Sequence, residues 1–179
     1  MAEVKRIVLG SGKLYCQEYS GTMPEDTAIE KVENLLGYIS GGASVEYKPT
    51  FYNCKDDLGI TQKSVLTDEE ATLKSGVMTW NASVLQKLCT TGRVTEAGGT
   101  RTLKIGGVGN QDGKNYILHF VHEDPEGDIR LTIVGRNEAG FTLTFAKDKE
   151  TIIDAEFKAM AKIDSEGTLI IYKEDIPET

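Results

Sequence analysis

The sequence predicts a mainly β chain: one mostly antiparallel domain with one short flanking α-helix. Apolar and polar residues alternate with period two in segment after segment, the signature of half-buried strands. A helix start signal followed by a helically spaced apolar stripe occurs clearly at one place only. At 179 residues, 39% hydrophobic and 27% charged, the chain is long and apolar enough to fold around a core without staples.

From Ala43 the odd positions read Ala43, Val45, Tyr47, Pro49 and Phe51, with Ser44, Glu46, Lys48 and Thr50 between them. This predicts a half-buried strand, and Pro49, which cannot donate to a ladder, puts it at an edge or a bulge. Leu103 and Ile105 alternate with Thr102 and Lys104. Tyr116, Leu118 and Phe120 share one face, as do Ile129, Leu131 and Ile133. Phe141, Leu143 and Phe145 follow a turn at Asn137-Glu138-Ala139-Gly140 and read as the return arm of a hairpin. Residues 153–163 are rich in helix formers, yet Ile153, Ala155, Phe157, Ala159, Ala161 and Ile163 fall on strictly alternate positions. A helix would scatter these six around its circumference, so the pattern predicts a strand. Ser165-Glu166-Gly167 then turns the chain into a short final strand, Leu169 to Tyr172.

The helix signal begins at Asn81, a good N-cap residue, and runs to Leu88 with Val84, Leu85 and Leu88 as its buried stripe. Gly92 supplies a stop. Ile29, Val32, Leu36 and Ile39 are also helically spaced, but Gly37, Gly41 and Gly42 interrupt the run. The polar stretch Asp56 to Glu69, with Gly59 inside it, reads as a long inter-strand loop within a single domain spanning 1–179. Connections of that length in a compact domain are usually either functional or disordered when the chain is alone.

Charge and motifs narrow the function classes. The net charge of −8 and isoelectric point near 4.9 argue against a general nucleic-acid binder, whose affinity rests on cations against phosphates. Cys16, Cys54 and Cys89 form no CxxC pair, which argues against a disulfide framework or a zinc knuckle. The apolar run Ile7 to Leu9 is too short for a secretory core, so synthesis and residence in a reducing cytoplasm are expected, and the Asn81-Ala82-Ser83 sequon carries no meaning there.

His119 and His122 lie three apart in a strand, on opposite faces, so they cannot converge on a metal; solvent-facing or strand-end positions are expected. Gly106 to Lys114 lacks the spacing and following helix of a phosphate loop, and Gly10-Ser11-Gly12 has Tyr15 where the dinucleotide pattern needs glycine. Asp124 to Asp128 reads as a turn and not a calcium loop. Trp80 reads as a packing anchor rather than a sugar platform. No catalytic, cofactor-binding or metal-binding residue is assigned, and no enzyme activity is expected.

Several segments together carry a family resemblance: Leu36-Gly37-Tyr38-Ile39-Ser40-Gly41-Gly42-Ala43 leading into Val45 to Tyr47; Thr67-Asp68-Glu69-Glu70 before Leu73-Lys74-Ser75-Gly76-Val77-Met78-Thr79-Trp80-Asn81; Ile133-Val134-Gly135-Arg136-Asn137 joined to Gly140-Phe141-Thr142-Leu143; and Asp154-Ala155-Glu156-Phe157-Lys158-Ala159 before Asp164-Ser165-Glu166-Gly167-Thr168-Leu169. In this order they resemble the tail tube (major tail) proteins of phages and prophages of Gram-positive bacteria. Residues 24–36 match no part of that pattern.

The resemblance implies an antiparallel β-sandwich/barrel with a flanking helix. Six copies would form a ring, and rings would stack into the hollow tube through which phage DNA passes without specific binding. The implied partners are further copies of the chain and other tail proteins, such as the tape measure, tail terminator and distal tail protein. The implied location is the virion tail, after assembly in the host cytoplasm.

By the same analogy the loop, including Asp56, Asp57, Leu58, Gly59, Ile60, Thr61, Gln62 and Lys63, would reach from one ring to the next. The helix with Asn81, Val84, Leu85 and Leu88 would sit at the subunit boundary, and strands Ala43 to Lys55 and Ala71 to Trp80 would line the channel. The alternatives are the inner tube of a contractile particle or secretion system and, from a different class, a monomeric β-sandwich binding module.

Overall fold

The computed structural model describes residues 7–176. In chain order its elements are β1 (Lys13–Glu18), α1 (Asp26–Ile29), β2 (Leu35–Gly37), β3 (Ile39–Lys55), β4 (Thr61–Val77), α2 (Ala82–Lys87), β5 (Arg93–Ala97), β6 (Thr100–Lys104), β7 (Tyr116–His122), β8 (Ile129–Asn137), β9 (Ile153–Ala159) and β10 (Ile171–Glu174). The fold class is the expected one, mainly β and antiparallel with a short helix.

The main sheet runs β2-β1-β7-β8-β9-β4-β3, with β10 on the edge of β8. Its two ends are consecutive in the chain. Only Tyr38 separates β2, which pairs with β1, from β3, which pairs with β4. One strand line, residues 35–55, therefore joins both ends of the order, and the sheet closes on itself. Tyr38 holds the junction by donating its N–H to Thr79 Oγ1 at 2.7 Å and accepting from Met78 N at 2.7 Å.

Inside lie Leu14, Leu36, Leu73, Val77, Leu118, Ile133, Ile153 and Phe157, all fully or almost fully buried. Each contributes roughly 1.5–3 kcal/mol by leaving water. The alternation expected over 153–163 holds as far as Ala159, where β9 ends: 153, 155, 157 and 159 are buried while 154 and 158 are exposed, and Ala161 lies outside the strand and exposed. Period two wins over helix propensity because those four side chains fill the interior.

A second apolar cluster lies on the opposite face of β1, β7 and β8, where Tyr15, Ile117, Val121 and Val134 meet Ile29. Here the helical spacing of Ile29, Val32, Leu36 and Ile39 misleads. Helix α1 ends at Ile29, a 3-10 turn covers Val32–Asn34, and Leu36 already belongs to β2. Ile29 is buried and Val32 faces solvent. The Asn34 side chain caps the break, donating to the carbonyls of Ala28 and Ile29 at 3.2 and 3.0 Å.

The expected strand at Phe141 to Phe145 does not form. The turn itself does: the Asn137 side chain donates to Gly140 O at 2.8 Å and accepts from Ala139 N at 2.9 Å. A return strand has nowhere to pair, because β7 occupies one side of this end of β8 and β9 the other. Phe141 and Leu143 instead pack half-buried against the core, and Phe145 meets Trp80 edge-on at 6.3 Å. Trp80 is a packing residue, its Nε1–H donating to Thr151 O at 3.2 Å.

Candidate assembly surface

Strands β3 and β4 are 17 residues each and pair from Ile39↔Val77 out to Lys55↔Thr61. Only their inner ends belong to the closed sheet. Beyond Glu46 on β3 and before Glu70 on β4 every residue up to Lys55 and down to Thr61 is exposed, so the hairpin is an arm. This corrects two expectations. Asp56 to Glu69 is no long loop: residues 61–69 are strand, and the turn is Asp56 to Ile60. The odd-numbered stripe of β3 is half-buried only at Ala43 and Val45; Tyr47, Pro49 and Phe51 are exposed.

The turn residues hold themselves in shape. Asp56 Oδ1 accepts from Leu58 N and Ile60 N at 3.0 and 2.8 Å, and Gly59 takes a positive φ of 80° that other residues resist. Leu58 and Ile60 point into solvent at the tip, while Thr61, Gln62 and Lys63 begin β4. Asp57 is exposed.

Residues directly opposite across an antiparallel pair share a face. On the core side the pairs run Val45↔Leu73, Tyr47↔Ala71, Pro49↔Glu69 and Phe51↔Leu66. The apolar stripe that fills the barrel thus continues outward along the arm, from 0% exposure at Leu73 to 54% at Phe51. Tyr47 is pinned on it by a hydrogen bond to the Glu69 carboxylate, which raises the phenol's pKa above its ordinary value. The other face is polar along its inner part, and further out it carries the exposed pair Tyr52↔Val65. Lys48, Lys74 and Lys158 alternate with Glu46, Glu70 and Glu156, and Lys158–Glu70 and Lys74–Glu156 pair at 2.9 and 3.1 Å.

The outer edge of β3 has no partner strand among the described residues, and Pro49 sits on it, as a residue without an N–H should. A second, shorter hairpin, β5–β6, also stands apart from the main sheet. Sequence reasoning missed its first strand; Gly98-Gly99, both at positive φ, was the available turn signal.

Helix α2 is where the sequence places it. Asn81 caps it, accepting from Ser83 N and Val84 N at 2.9 and 3.1 Å. Leu85 and Leu88 are buried in the barrel's own cluster, with Val84 packed at its side. Past Tyr15 strand β1 has no β2 partner, and there Lys87 Nζ donates to Cys16 O at 3.0 Å. The helix's apolar stripe is used up within the copy. Gly92 ends the segment by lacking a side chain rather than by a left-handed turn: a Cβ would lie 2.6 Å from Cys89 Sγ.

His122 takes the expected strand-end position as the last residue of β7, but neither histidine faces solvent. Both are buried in β7, although on opposite faces. His122 Nδ1–H donates to Ser11 O at 2.6 Å, with Asp124 Oδ2 3.5 Å from Nε2. His119 lies between Thr132 and Glu30. Strand β7 is covered on both faces, so alternation alone could not show that its histidines are buried. All three cysteines are free; burial pushes the Cys16 thiol up to about 12. No protein-family model and no curated protein matches this chain.

Proposed function

We propose that this chain is a structural subunit of a phage tail tube, with six copies closing a ring and rings stacking into a hollow tube that conducts DNA. The observation that carries the proposal is the β3–β4 arm. An isolated two-stranded hairpin is marginal in water, and a long edge bearing an apolar stripe invites pairing with another chain. A neighbouring copy would cover the stripe of Tyr47, Phe51 and Leu66 and give β3 its missing partner. The family resemblance in the sequence supplies the identity of that neighbour.

In this reading the polar face of β3, β4 and β9 is turned to the channel. Lys74 and Lys158 are paired with Glu156 and Glu70, and with Asp68 and Asp154 the carboxylates of this face outnumber its lysines. Such a wall offers no cation array to hold a polyanion, and screening confines its field to roughly 8 Å at physiological salt. Heterologous contacts along the axis do not close, so growth yields a filament.

Negative-stain microscopy of the concentrated protein, with light scattering over time, tests the proposal. Hollow rods about a hundred ångströms wide are expected, the width of two packed domains and a channel. A protein that remains a lone copy at millimolar concentration would contradict it.

A further inference from the structure

We propose that His119, Glu30 and Arg130 form a proton-sensitive latch that fastens residues 26–34 over the outer face of β1, β7 and β8 and releases them in acid. The segment is held to the body by Ile29, buried against Tyr15, Ile117, Val121 and Val134, by the Glu30 carboxylate, by Asp26 on Lys173 and by Asn34 on Gln17. Glu30 Oε1 accepts from His119 Nε2–H at 3.1 Å and from Arg130 Nε–H at 2.7 Å. Since an ionised carboxylate only accepts, His119 carries its proton on Nε2, and Nδ1 accepts from the Thr132 hydroxyl at 2.7 Å.

The charged groups around the imidazole come from every element packed on it. Asp26 and Glu30 belong to the fastened segment, Arg130 to β8, Lys173 to β10 and Asp175 to the residue just after it; the neighbours on β1 and β7 are Tyr15, Ile117 and Val121. Arg130 is itself claimed by Asp128 and Asp175 at 3.2 and 3.0 Å, and Lys173 by Asp26 at 2.7 Å.

A second proton on His119 would have to enter on Nδ1. The Thr132 hydroxyl would then turn from donor to acceptor and lose the partner for its own hydrogen in a buried site. Glu30 would face two cations where it now faces one. Burial is the larger influence and lowers the His119 pKa below its ordinary value; Glu30 and Asp26 act the other way but do not prevail, and Arg130 adds to the lowering. The sign follows. With the folded pKa depressed, the segment's attachment is at full strength above about pH 6.5 and is lost as the pH falls from there through the lowered value.

Hydrogen exchange corrected for intrinsic rates, from pH 7 to pH 5, tests the latch. The amides of Glu30 and Asn34, hydrogen-bonded within the segment, report its opening, and those of β9 serve as reference. The opening constant of the segment is expected to rise by up to tenfold per pH unit while β9 stays constant, and His119→Gln, which offers a donor and an acceptor but cannot titrate, is expected to flatten the rise. A flat profile in the native chain, or an unchanged slope in the variant, overturns the proposal. If the variant does not fold, proton NMR titration of His119 in the native chain decides: a midpoint clearly below 6.5 is expected, and one at or above it overturns the latch.

Discussion

Gly135 lies in β8 where a Cβ would stand 2.0 Å from Lys158 O and 2.8 Å from its carbonyl carbon. Both contacts are backbone, in a strand fixed by its ladder to β4, so nothing flexible can move aside. Gly135→Ala is expected to destabilise the fold by about 3 kcal/mol, read as a lower urea midpoint at unchanged slope. Asn81 is the opposite kind of residue, one whose role is local. Its cap was legible because an N-cap needs only its own next three residues. His119 was not legible: alternation places it on a face but says nothing of Glu30, 89 positions away, or of what covers that face.

At the scale of elements the arm separates what a pattern can say from what it cannot. Period two gave the correct partition of β3, with Tyr47, Pro49 and Phe51 on one side. It could not say that this side is open to solvent, because alternation reports which residues share a face and not what lies against it. The second strand escaped for the same reason. Residues 61–69 have no core beside them, so their polarity looked like a loop. Phe51 and Leu66 contribute to assembly and not to the fold of one copy on this account. The double variant Phe51→Asp, Leu66→Asp is expected to melt within about 0.5 kcal/mol of the native monomer yet form no rods. Thermal unfolding and negative-stain images of the same preparation check both halves; normal rods would remove the stripe from the interface.

For the whole molecule the decisive feature is closure. Residues 35–55 pair with β1 at one end and with β4 along the rest, so the strand that seals the barrel is also the strand that leaves it. This couples the arm's root to the core while its outer part depends on contacts from elsewhere. Closure was beyond sequence reading, since it rests on pairings such as Leu14↔Gly37 and Ile39↔Val77 that no local period encodes. The fold class was legible because strands such as β9 alternate, whereas β7, buried at all seven positions, gives no such signal of what covers its second face. The most direct test is hydrogen exchange across residues 46–70 as protein concentration is raised from dilute to concentrated. Protection of the arm is expected to rise at least tenfold with assembly while Leu73, Phe157 and the rest of the barrel stay unchanged. An arm whose exchange is the same in rods and in single copies, or a protein in which no concentration protects it, would contradict the account.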